Sequence, residues 1–273
     1  MYPAREHRVR ILFFGDIVGS PGRKALAEVL PRWREAHQPD LIIANAENAA
    51  GGMGITPHVA EEIFSYGVQV ITLGNHTFNK KEAVRLLEDN PRVLRPLNYP
   101  PGVPGHGYGV FSAAGVEVAV VSLMGRIFMD PIDDPFQQAR TLVPLLRQRT
   151  PCILIDIHAE ATSEKAAIAW MLDGQVSAVI GTHTHVATAD ARVLPAGTAF
   201  ITDVGMVGPL NSILGVKQEI IVTRFLNWMP ARFEVAGGPA TVNAVLIEIQ
   251  AATGLTEQII HLQEVVNLTT TDL

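Results

Sequence analysis

Residues 152–172 read CILIDIHAEATSEKAAIAWML, and this stretch contains the repeating unit of the fold. Its first part, 152–157, is an apolar run with little alternation, which is typical of a strand covered on both faces. His158 follows the run directly, and Ser163 is the predicted start of a helix over 164–172. The stretch therefore predicts a buried strand, a turn that carries a chemically useful side chain, and a helix.

The same unit recurs along the chain. Apolar runs that end in turns lie at residues 9–14, 41–44, 70–73, 118–123, 152–157 and 176–180. Helix start signals lie between them: a proline follows Ser20, Thr56 and Asp134, an arrangement favoured at the first turn of a helix. Strands that alternate with helices predict an α/β architecture built on a central sheet.

The last part of the chain is richer in strand signals. Runs at 193–194, 199–202, 233–235, 242–249 and 259–266 indicate strands with few helices between them, so a second sheet or an antiparallel extension is expected. Apolar runs continue on both sides of the Pro/Gly-rich stretch 96–109. Residues 1–273 are therefore predicted to form one domain. The apolar segment 206–210 is predicted to be a loop, and it is the candidate contact of a homo-oligomer.

Composition excludes several classes of protein. The chain has 21 basic and 27 acidic residues, a formal charge of −6, and 48% hydrophobic residues, which excludes a disordered chain and disfavours a duplex-DNA binder. The apolar run 11–14 is shorter than the roughly 7 residues of a signal-peptide core, and no stretch approaches the roughly 20 residues of a membrane helix. A cytoplasmic protein that uses no membrane is predicted. With Cys152 as its one cysteine, the chain has no internal disulfide and no Cys-rich zinc site.

Five of the predicted strands are followed by side chains that can bind metal ions. These side chains are Asp16, Glu47, Asn48, Asn75, His158, His183 and His185. Because strand exits line one edge of an open α/β sheet, we expect these groups to converge. Seven ligands are too many for one tetrahedral zinc ion and suit two ions about 3.5–4 Å apart. Carboxylate, amide and imidazole together favour manganese, iron or zinc over magnesium or calcium.

Each of these residues also has an ordinary structural interpretation. An Asp after a Gly is usually part of a turn, Gly-Asn is common turn chemistry, and a single buried His is often a core residue. The occurrence of all of them at successive strand ends favours the metal interpretation. His76 directly follows Asn75 and is predicted to be the general acid for the leaving oxygen, or a stabiliser of transition-state charge.

This set of motifs resembles the calcineurin-like metallophosphoesterase superfamily, and more closely its YmdB-like branch of bacterial phosphodiesterases. The superfamily motifs are represented by Gly15-Asp16, Glu47-Asn48, Gly74-Asn75-His76, His158 and Gly181-Thr182-His183-Thr184-His185. The branch is represented by residues 45–52, 95–99 and 158–165. Two positions differ from the wider superfamily: Val18 stands where a histidine is usual, and Glu47 stands where an aspartate is usual.

The resemblance implies an α/β fold in which a two-sheet sandwich is flanked by helices. It also implies two ligand sets that share Glu47. Asp16, Glu47, Asn48 and His185 would hold one metal, and Glu47, Asn75, His158 and His183 would hold the other. A hydroxide that bridges the metals would attack phosphorus in line. The expected substrates are small phosphodiesters, above all 2′,3′-cyclic nucleotides or RNA ends that carry one.

Four further residues have two open interpretations. Asp156 and Asp203 either orient a metal ligand from behind it or are paired buried acids. Arg126 either contacts phosphate or is a solvated loop residue. Tyr99 either stacks on a base or packs against prolines. Beside His158, Glu160 and Lys165 are expected to pair with each other on a helix.

Two alternative functions use the same scaffold. A phosphomonoesterase or nucleotidase would share the metal core, because specificity resides in the loops. A metal-bound regulatory scaffold would bind partners without turnover. The intact ligand set together with His76 argues against the scaffold, since a docking surface needs neither.

Overall fold

A computed structural model describes residues 8–268, so both ends of the predicted 1–273 domain lie outside the described residues. The described residues form a mixed α/β structure with two sheets and six helices. The helices are α1 (Gly19–His37), α2 (Pro57–Ser65), α3 (Ala83–Asp89), α4 (Pro135–Arg147), α5 (Thr162–Met171) and α6 (Gln218–Asn227). The strands are β1 (Arg8–Phe14), β2 (Asp16–Ile17), β3 (Leu41–Asn45), β4 (Val70–Thr72), β5 (Val93–Leu94), β6 (Tyr108–Ala113), β7 (Val116–Met124), β8 (Ile153–His158), β9 (Ala178–Thr182), β10 (Arg192–Val193), β11 (Ala199–Ile201), β12 (Met206–Pro209), β13 (Ala240–Gln250) and β14 (Thr256–Val266).

The first sheet has eight strands in the order β2-β12-β13-β1-β3-β4-β5, with β14 paired to β13. Strands β1, β3, β4 and β5 are parallel to one another, and β13 runs antiparallel to β1, β12 and β14. The predicted antiparallel part is therefore an extension of this sheet.

The second sheet has the order β10-β11-β9-β8-β7-β6. Its central strands β7, β8, β9 and β11 are parallel, and the antiparallel β6 and β10 form its edges. The carboxyl ends of β8 and β9 adjoin, since His158 pairs with Thr182.

The two sheets pack face to face with helices on the outside. Alternate residues of β1 point to opposite faces. Phe13 lies in a core cluster shared with Val120 and Leu154 of the second sheet, whereas Phe14 lies in a cluster with Leu26 of α1. A third cluster covers the outer face of the second sheet with α4 and α5. The result is the two-sheet sandwich flanked by helices that the resemblance implied.

The helix starts predicted from the sequence are partly correct. Thr56 and Asp134 cap α2 and α4 as predicted, but α1 begins at Gly19 with Val18 as its N-cap, so the predicted role of Ser20 is wrong. Helix α5 begins at Thr162, one residue before Ser163.

None of the six described helices combines the length and the apolar character that a membrane span requires.

Two predictions for the last part of the chain are wrong. Residues 233–235 form no named strand, and Val235 makes only an isolated bridge to Val216. The segment 206–210 is largely strand β12, whose four residues are buried between β2 and β13. This strand is therefore not available as a contact between copies of the chain, and only Leu210 is exposed.

Candidate metal centre

The ends of five parallel strands bring the seven predicted ligands into one buried cluster. Asp16 follows β1 by way of Gly15, Glu47 and Asn48 follow β3, and Asn75 follows β4. His158 ends β8, and His183 and His185 follow β9. Gly74 allows this convergence, because a Cβ atom at position 74 would lie 2.2 Å from the imidazole of His158. The carboxyl ends of these strands, from both sheets, therefore lie close together at one edge of the sandwich.

His158 lies at the centre of the cluster. Its Nε2 is 3.0 Å from the Asn75 side-chain oxygen, 3.2 Å from Oε1 of Glu47 and 3.0 Å from Nδ1 of His183. The ligand atoms of Glu47, His158 and His183 all lie within 4.8 Å of one another. These groups are the carboxylate, amide and imidazole ligands expected for one metal position.

A second group of side chains adjoins the first through Glu47 and Asp16. Asn48 Nδ2 lies 3.1 Å from Nε2 of His185 and donates to Oε1 of Glu47 over 3.1 Å. Asp16 Oδ1 is 3.9 Å from His185 Nε2 and 3.8 Å from His158 Nδ1. The structure thus brings together all seven residues that the sequence singled out.

Residues behind the cluster fix the orientation of His158. The hydroxyl of Thr182 donates to Asp156 over 2.7 Å, which leaves its oxygen to accept from Nδ1 of His158 over 2.9 Å. Asp156 also accepts from Thr72 and from the Asn45 amide. The network holds the lone pair of His158 Nε2 toward the cluster, an arrangement that raises the basicity of a metal-binding histidine.

Asp203 holds the turn that carries the other two histidines. His183 and His185 have φ angles of 98° and 65°, which is strained backbone for residues other than glycine. Between them, Thr184 donates through its N–H and its hydroxyl to Asp203 Oδ2. That oxygen also accepts from the buried ammonium of Lys165. The expected pairing of Lys165 with Glu160 is therefore wrong, and Glu160 instead lies 3.3 Å from Nε2 of His183.

The buried carboxylates of the cluster favour positive charge on the groups beside them. Burial opposes ionisation of Glu47, yet the neighbouring His158 and His76 hold the pKa of Glu47 well below its usual range. Burial likewise disfavours the charged form of His158, but Glu47, Asp16 and Asp156 raise the pKa of His158 to about 9. Burial, helped by the charge of His158, lowers the pKa of His183 to about 3, so His183 is a neutral ligand. The site therefore attracts positive charge.

The residues present fit a pair of metal ions. Asp16 is fully buried, and among the described residues no hydrogen-bond donor reaches its Oδ1, an expensive state for a carboxylate oxygen. A cation beside this oxygen would compensate its desolvation. The donor set of carboxylates, amide oxygens and imidazoles suits divalent metal ions.

His76 lies at the mouth of the cluster. The main-chain N–H of His76 donates to Glu47 Oε2 over 3.0 Å, and the ring Nδ1 of His76 is 2.7 Å from the Asn48 side-chain oxygen. The side chain of His76 is 26% exposed, unlike the fully buried Glu47 and His158. His76 can therefore contact both the cluster and a substrate that enters from solvent.

Tyr99 and Arg126, the two other residues predicted to contact substrate, both contact side chains of the protein itself. Tyr99 packs edge to face on Phe78, and burial together with the charge of Glu47 raises the pKa of Tyr99 to about 12. Arg126 pairs with Asp134 over 3.1 Å. Their predicted substrate contacts stay predictions.

Sequence reasoning missed three residues that support the cluster: Asn45, Thr182 and Lys165. A signal for Asn45 and Thr182 was available, since both sit inside the quoted motifs directly before the ligands. Lys165 also lies in a quoted motif, but nothing in the sequence indicated its partner, because Asp203 is 38 residues away and is reached only through the fold.

A two-sheet α/β sandwich with metal-binding side chains at the strand ends is the arrangement of the calcineurin-like metallophosphoesterases. A family model described as "YmdB-like protein" matches residues 12–262. The chain belongs to this YmdB-like family.

Similar proteins agree with this assignment. The chain is 50% identical over 245 residues to the 2′,3′-cyclic-nucleotide 2′-phosphodiesterase of Bacillus subtilis, covering 90% of this chain and 93% of that protein. A protein of Thermus thermophilus described as hypothetical has a similar structure, with 43% identity, a TM-score of 0.88 and coverage of 95% and 99% of the two chains. A structure described as a novel phosphatase of Mycoplasma pneumoniae matches with 32% identity, a TM-score of 0.90 and coverage of 96% and 95%.

Proposed function

We propose that this chain is a dinuclear-metal-dependent phosphodiesterase that opens 2′,3′-cyclic nucleotides, free or at RNA ends. The observation that carries the proposal is the convergence of seven metal-binding side chains from five strand ends on one buried cluster. The activity named for the Bacillus subtilis relative supports the substrate class and the 2′ bond as the one that is cut.

Residues of both sheets would hold the two ions. Asp16, Asn48 and His185 would bind one ion, Asn75, His158 and His183 the other, and Glu47 would bridge them. When bound, the ions would neutralise the phosphate charge and lower the pKa of water. Iron or manganese is the proposed metal, with zinc next, because amide oxygens and carboxylates accompany the imidazoles.

His76 would deliver a proton to the leaving oxygen. In the reaction the oxygen of water bonds to phosphorus in line, the P–O2′ bond breaks, and O2′ takes up a proton, which yields a 3′-monophosphate. The Nδ1 side of His76 faces Asn48 and Glu47, so its other nitrogen is left for the substrate. General acids of this kind contribute about 10²–10⁴-fold to a rate.

Three alanine variants test the assignment. We expect Asn75→Ala and His158→Ala to lose bound metal and turnover together. We expect His76→Ala to keep its metal and lose about 10²–10⁴-fold in kcat. Metal content by plasma mass spectrometry and kcat on 2′,3′-cyclic AMP are the two readouts. Full activity in all three variants would overturn the proposal.

A phosphomonoesterase is the second candidate, because one structural relative is described as a phosphatase. Turnover of an aryl phosphate monoester beside the cyclic diester separates the two candidates. Two bound metals with no turnover of either substrate would favour the regulatory scaffold instead.

Self-association is also part of the proposal, through the surface of α6 rather than segment 206–210. Phe225, Leu226 and Trp228, at the end of this helix and directly after it, are 72%, 81% and 83% exposed, and neighbouring exposed apolar side chains mark interaction sites. Phe225→Lys should shift the mass measured by light scattering to the monomer, and a monomeric wild-type chain would contradict this.

The proposal also includes the predictions about domain organisation, cellular compartment and the partners that the protein does not use. The prediction of one metallophosphoesterase domain is supported, over the described residues, by the core cluster shared between the sheets. The protein acts in the cytoplasm and uses neither duplex DNA nor a membrane surface, in line with its net charge of −6.

A further inference from the structure

Phe128 occupies an unusual position for a large apolar side chain. It is 90% exposed, more than any other large hydrophobic side chain among the described residues. Its φ of 62° lies in the left-handed region, where a bulky residue is strained. Neither exposure nor strain stabilises the fold, and such residues cluster at functional sites.

The loop that carries Phe128 is held firmly. The main-chain N–H groups of Arg126 and Ile127 both donate to the buried carboxylate of Glu164, over 3.0 and 3.3 Å. The guanidinium of Arg126 pairs with Asp134, and Gly125 donates to the carbonyl of His158. The loop is therefore anchored to the strand end that carries a candidate ligand, directly before Phe128.

A cavity of about 330 Å³ adjoins this ring. It is lined by Asn75, Phe128, Met129, Asp130 and His183. Its volume falls within the range of small-molecule sites, about 300–1,000 Å³. Asn75 and His183 belong to the metal cluster, so a substrate whose phosphate is held by the cluster would extend its remaining part toward Phe128.

We propose that Phe128 forms the wall of a subsite in which the base of a nucleotide stacks while its phosphate lies on the cluster. Every base has an aromatic face, and stacking on a protein ring is tolerant of base identity. The thioether of Met129 suits an apolar planar group as well. The carboxylate of Asp130 repels a further phosphate and accepts hydrogen bonds from the amino groups of a base.

The inference rests on the proposed phosphodiesterase activity and adds a nucleoside requirement to it. Two cyclic phosphodiesters with the same five-membered ring separate the two ideas: 2′,3′-cyclic AMP carries a base, and glycerol 1,2-cyclic phosphate does not. We expect Phe128→Ala to raise KM for cyclic AMP about 10- to 100-fold with little change in kcat. KM for glycerol cyclic phosphate should not change.

Two further variants separate stacking from loop distortion. Phe128→Tyr keeps an aromatic face and should retain the wild-type KM. Phe128→Gly removes both ring and strain and should behave like Phe128→Ala. Because the ring is exposed, thermal unfolding should be unchanged in Phe128→Ala and Phe128→Tyr, and Phe128→Gly should unfold at a slightly higher temperature because it relieves the strain at this position. Equal KM changes on both substrates would overturn the subsite.

A binding measurement keeps the subsite testable if turnover is absent. Wild-type protein that hydrolyses neither diester would contradict the proposed function. Titration calorimetry with adenosine 3′-monophosphate would then decide the subsite. Binding weakened at least tenfold by Phe128→Ala would support it, and equal binding would overturn it.

Discussion

The ammonium of Lys165 lies 2.8 Å from Oδ2 of Asp203, and both side chains are fully buried. The same carboxylate accepts two hydrogen bonds from Thr184, and its Oδ1 accepts from the N–H of Gly205. Thr184 separates the two strained histidines of the cluster. The ion pair therefore acts as a clamp that keeps a strained turn in position for metal binding.

Removal of one partner of the Lys165–Asp203 ion pair should destabilise the protein more than removal of both charges. We expect Lys165→Met to lower the free energy of unfolding by about 3–5 kcal/mol, because it leaves the Asp203 carboxylate buried without its cation. The double variant Lys165→Met/Asp203→Asn should recover most of that loss and still bind metal more weakly than the wild type. Urea denaturation and a Mn²⁺ titration provide the two values. Wild-type stability in the single variant would contradict the clamp.

Asp156 should control metal affinity without contacting the metal. We expect Asp156→Asn to weaken cation binding about 10–100-fold, because the amide lacks the charge of the carboxylate and its NH2 group cannot accept from Thr72 and Asn45, which disturbs the acceptor that orients Thr182 toward His158. Isothermal titration with Mn²⁺ measures the change. Thr72→Val is the matched control, since it removes one donor to Asp156 and leaves the contact with Thr182 in place. Unchanged affinity in Asp156→Asn would argue against a positioning role.

Gly74 should be needed for the convergence of the two sheets at the cluster. A Cβ at this position would lie 2.2 Å from the ring of His158, so Gly74→Ala must displace that ring. We expect loss of bound metal and destabilisation of about 1–3 kcal/mol. At Gly237 an added Cβ meets no atom within 4 Å, so Gly237→Ala should leave metal content and stability unchanged. Equal behaviour of the two variants would contradict the account.

Much of the parallel core could be predicted from sequence, because buried strands such as β8 and β9 are local apolar runs that end in Gly or His. The cluster could be predicted for the same reason, since each ligand directly follows its strand. Strand β12 could not be predicted, because it contains a glycine and a proline and exists only through pairing with the distant β2 and β13. Helix α6 was missed because its apolar side chains face solvent and do not form a stripe against the core.

The Lys165–Asp203 ion pair could not be predicted from neighbouring residues in the sequence. From sequence, Lys165 was expected to pair with Glu160, which lies five residues before it in the same motif. In the fold, α5 packs beside β9, and the lysine reaches the segment after β11 instead. Phe128 is a similar case, because an aromatic residue after a strand is usually buried and only the structure reveals its exposure.

The most direct test is hydrolysis of 2′,3′-cyclic AMP by the Mn²⁺-loaded chain, with the products separated by chromatography and an aryl phosphate monoester assayed alongside. The account predicts metal-dependent ring opening to 3′-AMP as the single product, with little turnover of the monoester. Hydrolysis of the monoester alone, or of neither substrate by protein that holds two metal ions, would contradict it.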